Sequence, residues 1–253
     1  MFPIRDHNPS ERTPYVTWVL IAINVAVFLS YWSLLSNDRA TQDFFMTWGL
    51  VPAWSAPETF LTSMFLHGGI LHLAGNMLFL WVFGDNMEDQ MGHLGFLLFY
   101  LAGGLAAAAA QVMADPGSFI PMVGASGAIA GVMGGYLLMF PKARVDVVVI
   151  LVIIFKVFPL PAWTVLGFWF LVQFVQGSMT PTEQGGVAYW AHAGGFAAGV
   201  VLTFPLWQKR GGAAFWRRTH GHPPHPDAIY REGRTMVPKV RRDKDRARSP
   251  WDR

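Results

Sequence analysis

Long apolar runs separated by short polar stretches set the plan of this chain. Six runs stand out, at about residues 15–35, 60–83, 94–113, 126–140, 161–175 and 187–207. A stretch of about 20 apolar residues is what an α-helix needs to cross a bilayer, so the pattern predicts an all-α, polytopic membrane bundle of six transmembrane helices. A further apolar stretch, 145–158, is short for a crossing and rich in β-branched residues, and it is closed by Lys156 and Pro159. It reads as an extra interfacial or re-entrant segment rather than a seventh span.

The polar remainder divides the chain into three parts. Residues 1–14 form a polar N-terminal arm, 15–207 the membrane domain, and 208–253 a basic tail poor in periodic apolar residues and expected to be disordered. The first apolar run is too long for a signal-peptide core and lacks a small-residue cleavage site, so it is read as a retained span. Between the first two spans, the polar loop 36–59 also contains Phe44, Phe45, Trp48 and Trp54, which suits a loop lying partly in the interface.

Composition agrees with this plan. The chain is 53% hydrophobic and 14% charged, against about a quarter charged in an average soluble domain. It has no cysteine, which excludes a disulfide framework, a thiolate nucleophile and a Cys-based metal site. The net charge of +3 comes from basic residues concentrated after Lys209, a juxtamembrane position that suits anionic lipid rather than nucleic acid. His220, His222 and His225 lie in that tail, and a solvated tail is favoured over a metal site because no further ligands accompany them.

Charge also sets orientation. Arg5 and Arg12 in the arm, Lys142, Arg144 and Lys156 between the fourth and fifth spans, and the tail all fall on one side, while the opposite loops carry only Arg39. Both termini are therefore expected in the cytoplasm, with the protein in a cell membrane, a bacterial inner membrane.

Polar groups inside lipid are costly and point to function. Ser126 opens the fourth span about 22 Å above Pro141, and His192 lies about 24 Å above Gln208, at 1.5 Å per residue. In a hydrocarbon layer about 30 Å thick, both reach one depth below the outer boundary. Gly127, Gly131 and Gly135 repeat every four residues on the fourth span, as do Gly195 and Gly199 on the sixth, and such faces allow close helix packing. If these faces meet, the His192 imidazole can take the Ser126 hydroxyl proton as general base.

A nucleophilic serine also needs donors for the oxyanion that develops. His72 and Asn76 are four apart on the second span and share a face, and the Ser126 backbone N–H is free because it opens a helix. His67 lies about 140° around the helix from His72 and is assigned to anchoring the outer loop. None of the six spans contains Asp or Glu, so the expectation is a Ser-His dyad rather than a triad.

The pattern His67-xxxx-His72-xxx-Asn76, then Gly124-Ala125-Ser126-Gly127, then Ala191-His192-xx-Gly195-xxx-Gly199, resembles the rhomboid intramembrane serine proteases. The resemblance covers about residues 59–206, including the Glu88-xxx-Gly92 turn. It implies a serine endopeptidase that cuts transmembrane protein substrates near their outer ends, with Ser126 and His192 catalytic and His72, Asn76 and the Ser126 amide as the oxyanion hole. No cofactor or metal is implied, and the partners are transmembrane substrates and membrane lipids, not nucleic acid. Trp163, Phe168, Trp169 and Phe170 on the fifth span could form a movable wall for lateral entry, or simply contact lipid.

Two departures stand out. Some bacterial members carry a Trp-Arg pair where this chain has Glu58-Thr59, and some have a Tyr stacked on the catalytic His where this chain has Ala130. The competing readings are a polar-helix transporter, which has no use for a serine at a helix start, and a catalytically silent membrane adaptor, which has no use for retained donors.

Overall fold

In the computed structural model of the chain, residues 2–151, 154–179, 187–224 and 226–227 are described. Helix α1 (Tyr15–Ser30) leads through a 3-10 turn to α2 (Asp38–Trp48), then to a short α3 (Thr59–Thr62) and α4 (Ile70–Met91). There follow α5 (His93–Ala114), α6 (Ser126–Met139), α7 (Ala162–Met179), α8 (Tyr189–Lys209) and α9 (Ala213–Thr219). The fold is largely helical.

Helix α6 is the axis. Eleven of its 14 residues are buried, so it is enclosed on every side by α4, α5 and α8. The surrounding helices instead turn large apolar side chains outward: Val19, Ile23 and Leu29 from α1, Leu94 and Leu98 from α5, Phe168 and Leu171 from α7. A contiguous apolar exterior of this kind belongs against lipid rather than water.

Length tells a narrower story than the apolar pattern. Among the described residues, α5 alone is long and apolar enough to cross a membrane unaided, and α3 with its 3-10 extension passes only together with α4, across a 94° bend. Helices α1 and α6 are apolar but shorter. Six crossings therefore do not follow from helix length, since 14 residues of α6 rise only about 21 Å.

The second apolar run is thus not one helix. It breaks at residues 66–69, where Gly68 and Gly69 interrupt it, and α4 then continues through the polar residues 84–91 expected to form its exit. The continuation is stable because those residues have partners. Glu88, only 1% exposed, accepts hydrogen bonds from Val16 N–H (2.9 Å), Thr17 N–H (2.8 Å), the Thr17 hydroxyl (2.8 Å) and His93 Nδ1 (2.5 Å). It caps the first turn of α1, whose own N-cap is Pro14 with no side chain to offer.

Residues 145–158 differ from expectation. Their described residues are paired strands, β2 (Arg144–Leu151) and β3 (Ile154–Pro161), rather than a re-entrant loop, and their β-branched residues and prolines disfavour helix. The N-terminal arm supplies β1 (Phe2–Asp6), giving an antiparallel sheet in the order β1-β2-β3. The loop 36–59 likewise contains α2, whose N-cap Asn37 accepts from Ala40 N–H. In the basic tail, α9 is folded, with Trp216 Nε1–H donating to the Leu138 carbonyl (3.0 Å), whereas 228–253 lie outside the described residues.

This sheet grips the end of α6 remote from Ser126. The Tyr136 hydroxyl donates to Asp6 Oδ2 at 2.6 Å, and Asp146 accepts from Arg5 Nε (2.6 Å) and His7 Nε2 (2.9 Å). Burial pushes the Asp6 carboxyl well above its ordinary range, with Tyr136 offsetting part of the rise and the nearby Asp85 charge adding to it. Burial would also raise Asp146, but the hydrogen bonds from His7 and Arg5 outweigh it and hold that carboxyl low.

Candidate active site

Ser126 is the first residue of α6, and the turn before it fixes its direction. Gly124 has φ +133°, a conformation that side chains rarely adopt, and its N–H donates to the Ser63 carbonyl at 2.9 Å. A Cβ at Gly124 would lie 2.9 Å from His72 Nε2, so the turn also depends on glycine for space.

The glycine faces explain how α8 comes so close. A Cβ on Gly195 would overlap the Gly127 carbonyl, and one on Gly199 would overlap the carbonyl of Gly131. Gly127 itself meets Ala107 of α5, and Gly135 faces Thr203 and Met87 rather than an α8 glycine. The glycine faces of α6 and α8 adjoin at Gly127 with Gly195 and at Gly131 with Gly199, and they diverge at Gly135.

This approach brings Ser126 Oγ within 2.7 Å of His192 Nε2. On the other side of the ring, His192 Nδ1 donates to Gln173 Oε1 at 2.7 Å, and the Trp169 indole lies against the imidazole with ring centroids 5.6 Å apart. Where the sequence has Ala130 in place of a stacking Tyr, an aromatic contact to His192 comes from Trp169 of α7. Sequence reasoning missed Gln173 because only acidic residues were sought as a third partner. A lone amide four residues from Trp169 in an apolar run was the available signal.

Ser126 and His192 open onto a cavity of about 520 Å³ that His72, Asn76 and Gln111 also line. His72 Nδ1 accepts from Gly68 N–H at 3.3 Å, which leaves Nε2 to carry the hydrogen. Asn76 is 8% exposed, and its Nδ2 has no acceptor among the described residues. An Asn76 donor without an acceptor among the described residues and a His72 Nε2–H, both on the cavity that Ser126 and His192 share, suit an anionic oxygen that forms during a reaction.

His67 stands apart from the cavity lining. Its ring is buried and packs edge-on against His72, centroids 5.1 Å apart. Its backbone does the anchoring: the Tyr31 hydroxyl accepts from His67 N–H (2.7 Å) and donates to His67 C=O (3.0 Å). Met122 of the cavity lining is held by Leu50, the two exchanging backbone hydrogen bonds of 3.0 and 2.8 Å. At the departure Glu58-Thr59, the Thr59 hydroxyl closes its own turn onto Ala56 C=O at 2.6 Å.

No three His, Cys, Asp or Glu side chains gather into a metal-ligand set among the described residues, and His225 lies outside them.

Residues 54–209 match the family model described as the rhomboid domain. The chain is 30% identical over 190 residues to Rhomboid protein 1, mitochondrial, of Saccharomyces cerevisiae, an alignment covering 74% of this chain and 51% of that protein. It is 29% identical over 126 residues to Rhomboid-like protein 11, chloroplastic, of Arabidopsis thaliana, covering 50% of this chain and 42% of that one. Rhomboid protease GluP of Bacillus subtilis is 46% identical over 77 residues, 30% of this chain and 15% of its own length. The chain thus spans about half or less of the length of these relatives.

Proposed function

The chain belongs to the rhomboid family, and from that membership we propose that it is an intramembrane serine endopeptidase that cuts transmembrane proteins near the outer membrane boundary. The observation that carries the reading is the 2.7 Å contact between Ser126 Oγ and His192 Nε2, at a cavity lined by His72 and by Asn76, whose Nδ2 has no acceptor among the described residues. The relative named a rhomboid protease supports the same class of activity.

On this reading His192 Nε2 accepts the Ser126 proton as Oγ bonds to the scissile carbonyl carbon. The carbonyl oxygen becomes an oxyanion, which accepts from His72 Nε2, Asn76 Nδ2 and the Ser126 backbone N–H. Collapse breaks the C–N bond, and the leaving amine takes the proton from His192. Water then adds to the Ser126 ester with His192 again as base, releasing the carboxylic acid and restoring the hydroxyl.

The membrane setting belongs to the same proposal. Six crossings, by α1, α3–α4, α5, α6, α7 and α8, would put both termini and the sheet in the cytoplasm and the cavity at the outer side. Ser126 then needs no full span beneath it, because α6 begins inside the protein, where water enters through the cavity.

The test uses purified protein in lipid vesicles with a single-span reporter, alongside Ser126→Ala and His192→Ala. Both variants are expected to leave the reporter intact, and Ser126 is expected to be labelled by a fluorophosphonate only when His192 is present. Cutting by either variant at the parent rate would end the proposal.

A further inference from the structure

Helix α7 reaches His192 twice from one face. Trp169 covers the imidazole, and Gln173, one turn later, places Oε1 2.7 Å from Nδ1. We propose that Gln173 is a positioning residue for the peptidase reaction: by accepting the Nδ1 hydrogen it holds His192 in the tautomer whose Nε2 lone pair faces Ser126. This inference rests on the peptidase reading and adds a third partner to the Ser-His pair.

The chemistry turns on which nitrogen carries the single hydrogen of a neutral imidazole. With the hydrogen on Nε2, the ring would offer Ser126 a donor where an acceptor is required, and the hydroxyl could not pass on its proton. Gln173 prevents this only if its oxygen stays in place, and it is only 8% exposed, packed behind the ring and away from bulk water. An amide oxygen orients without carrying charge, so it fixes the tautomer but stabilises an imidazolium less than a carboxylate would.

That difference provides a readout that loss of packing would not give. Gln173→Met preserves length and bulk while removing the acceptor. Gln173→Glu restores an acceptor and adds a charge that favours the protonated ring, so the acid limb of the pH–rate profile must move to higher pH. The other titratable groups lining the cavity with His192 are His72 from α4, Asp115 after α5, and Tyr189 from α8, and none of them changes in these variants.

The experiment measures reporter cleavage in vesicles by the full chain and its variants between about pH 5 and pH 9. Gln173→Met is expected to lower kcat by about 10- to 100-fold with KM little changed, part of the 10²–10⁴ that general base catalysis supplies. Gln173→Glu is expected to recover at least part of that loss and shift the acid limb upward. The inference is overturned if Gln173→Met cleaves like the parent, or if Gln173→Glu neither recovers activity nor moves the limb, which would mark a packing role. Ser126→Ala in the same assay separates the two readings. If it still cuts, the peptidase proposal falls and takes this one with it; if it is inert while Gln173→Met is unimpaired, this one alone falls.

Discussion

Gly199 lies against Gly131 so closely that a single methyl group on either side of the α6–α8 contact would meet backbone rather than side chain. Backbone cannot turn aside as a rotamer can, so Gly199→Ala must push the two helices apart. We expect a loss of about 1–3 kcal/mol, read as a lower unfolding temperature in detergent, together with slower fluorophosphonate labelling of Ser126. Unchanged melting would show that α8 yields more easily than its packing suggests.

Gly124 is under a different constraint, since both its φ of +133° and the 2.9 Å approach of His72 Nε2 to a Cβ there exclude a side chain. Gly124→Ala is expected to cost about 1–3 kcal/mol of local strain and to displace the Ser126 N–H. Cleavage should fall far more than global stability does. A variant that melts early but retains full activity per folded molecule would contradict this.

Asn76 Nδ2 has no acceptor among the described residues, so its loss should matter only once an oxyanion forms. Asn76→Ala is predicted to lower kcat by about 10²–10³, with KM close to that of the parent. Steady-state kinetics on the single-span reporter decide the point: a change confined to KM would make Asn76 a substrate contact instead.

Glu88 ties the start of α1 to the end of α4 through three hydrogen bonds and holds His93, at the start of α5, through a fourth. Glu88→Ala leaves two backbone N–H groups of α1 unpaired and is expected to destabilise by about 2–5 kcal/mol. Proteolysis should then begin within the first helix, which limited digestion followed by mass spectrometry can detect.

The two carboxyls of the sheet region have opposite signs in their pH dependence. Asp6 is raised above its ordinary value of 3.8, so its contribution is fully present below that value and is lost as pH rises through the raised folded value. Asp146 is lowered, so its contribution is present above 3.8 and disappears as pH falls through its folded value. Asp6→Asn keeps an acceptor for Tyr136 without the buried charge. It should raise the melting temperature near pH 7 relative to the parent, with the gain shrinking towards about pH 4. Melting curves that stay parallel across that range would rule out the charge as the cause.

Much of this architecture could be read from the chain. The meeting of Ser126 and His192 is legible because Gly195 and Gly199 leave room for α8 to approach α6. The hairpin at 144–161 was harder, since a short apolar β-branched run fits either an interfacial segment or a strand until its partner is known. That partner is β1, more than 130 residues away, and the Asp6–Tyr136 bond has no local signature at all. The break at 66–69 had its signal in Gly68-Gly69, which the continuity of the surrounding apolar residues obscured.

The complete enclosure of α6 has an implication for inhibition. A compound that acylates Ser126 bonds to the first residue of α6, where a side chain on Gly127 or on Gly195 of α8 has no room, so escape by substitution at those glycines would force the helices apart first. Resistance to such a compound should instead arise where side chains are exposed, at Ile120 of the cavity lining or along the outward flank of α7 at Phe168 and Leu171.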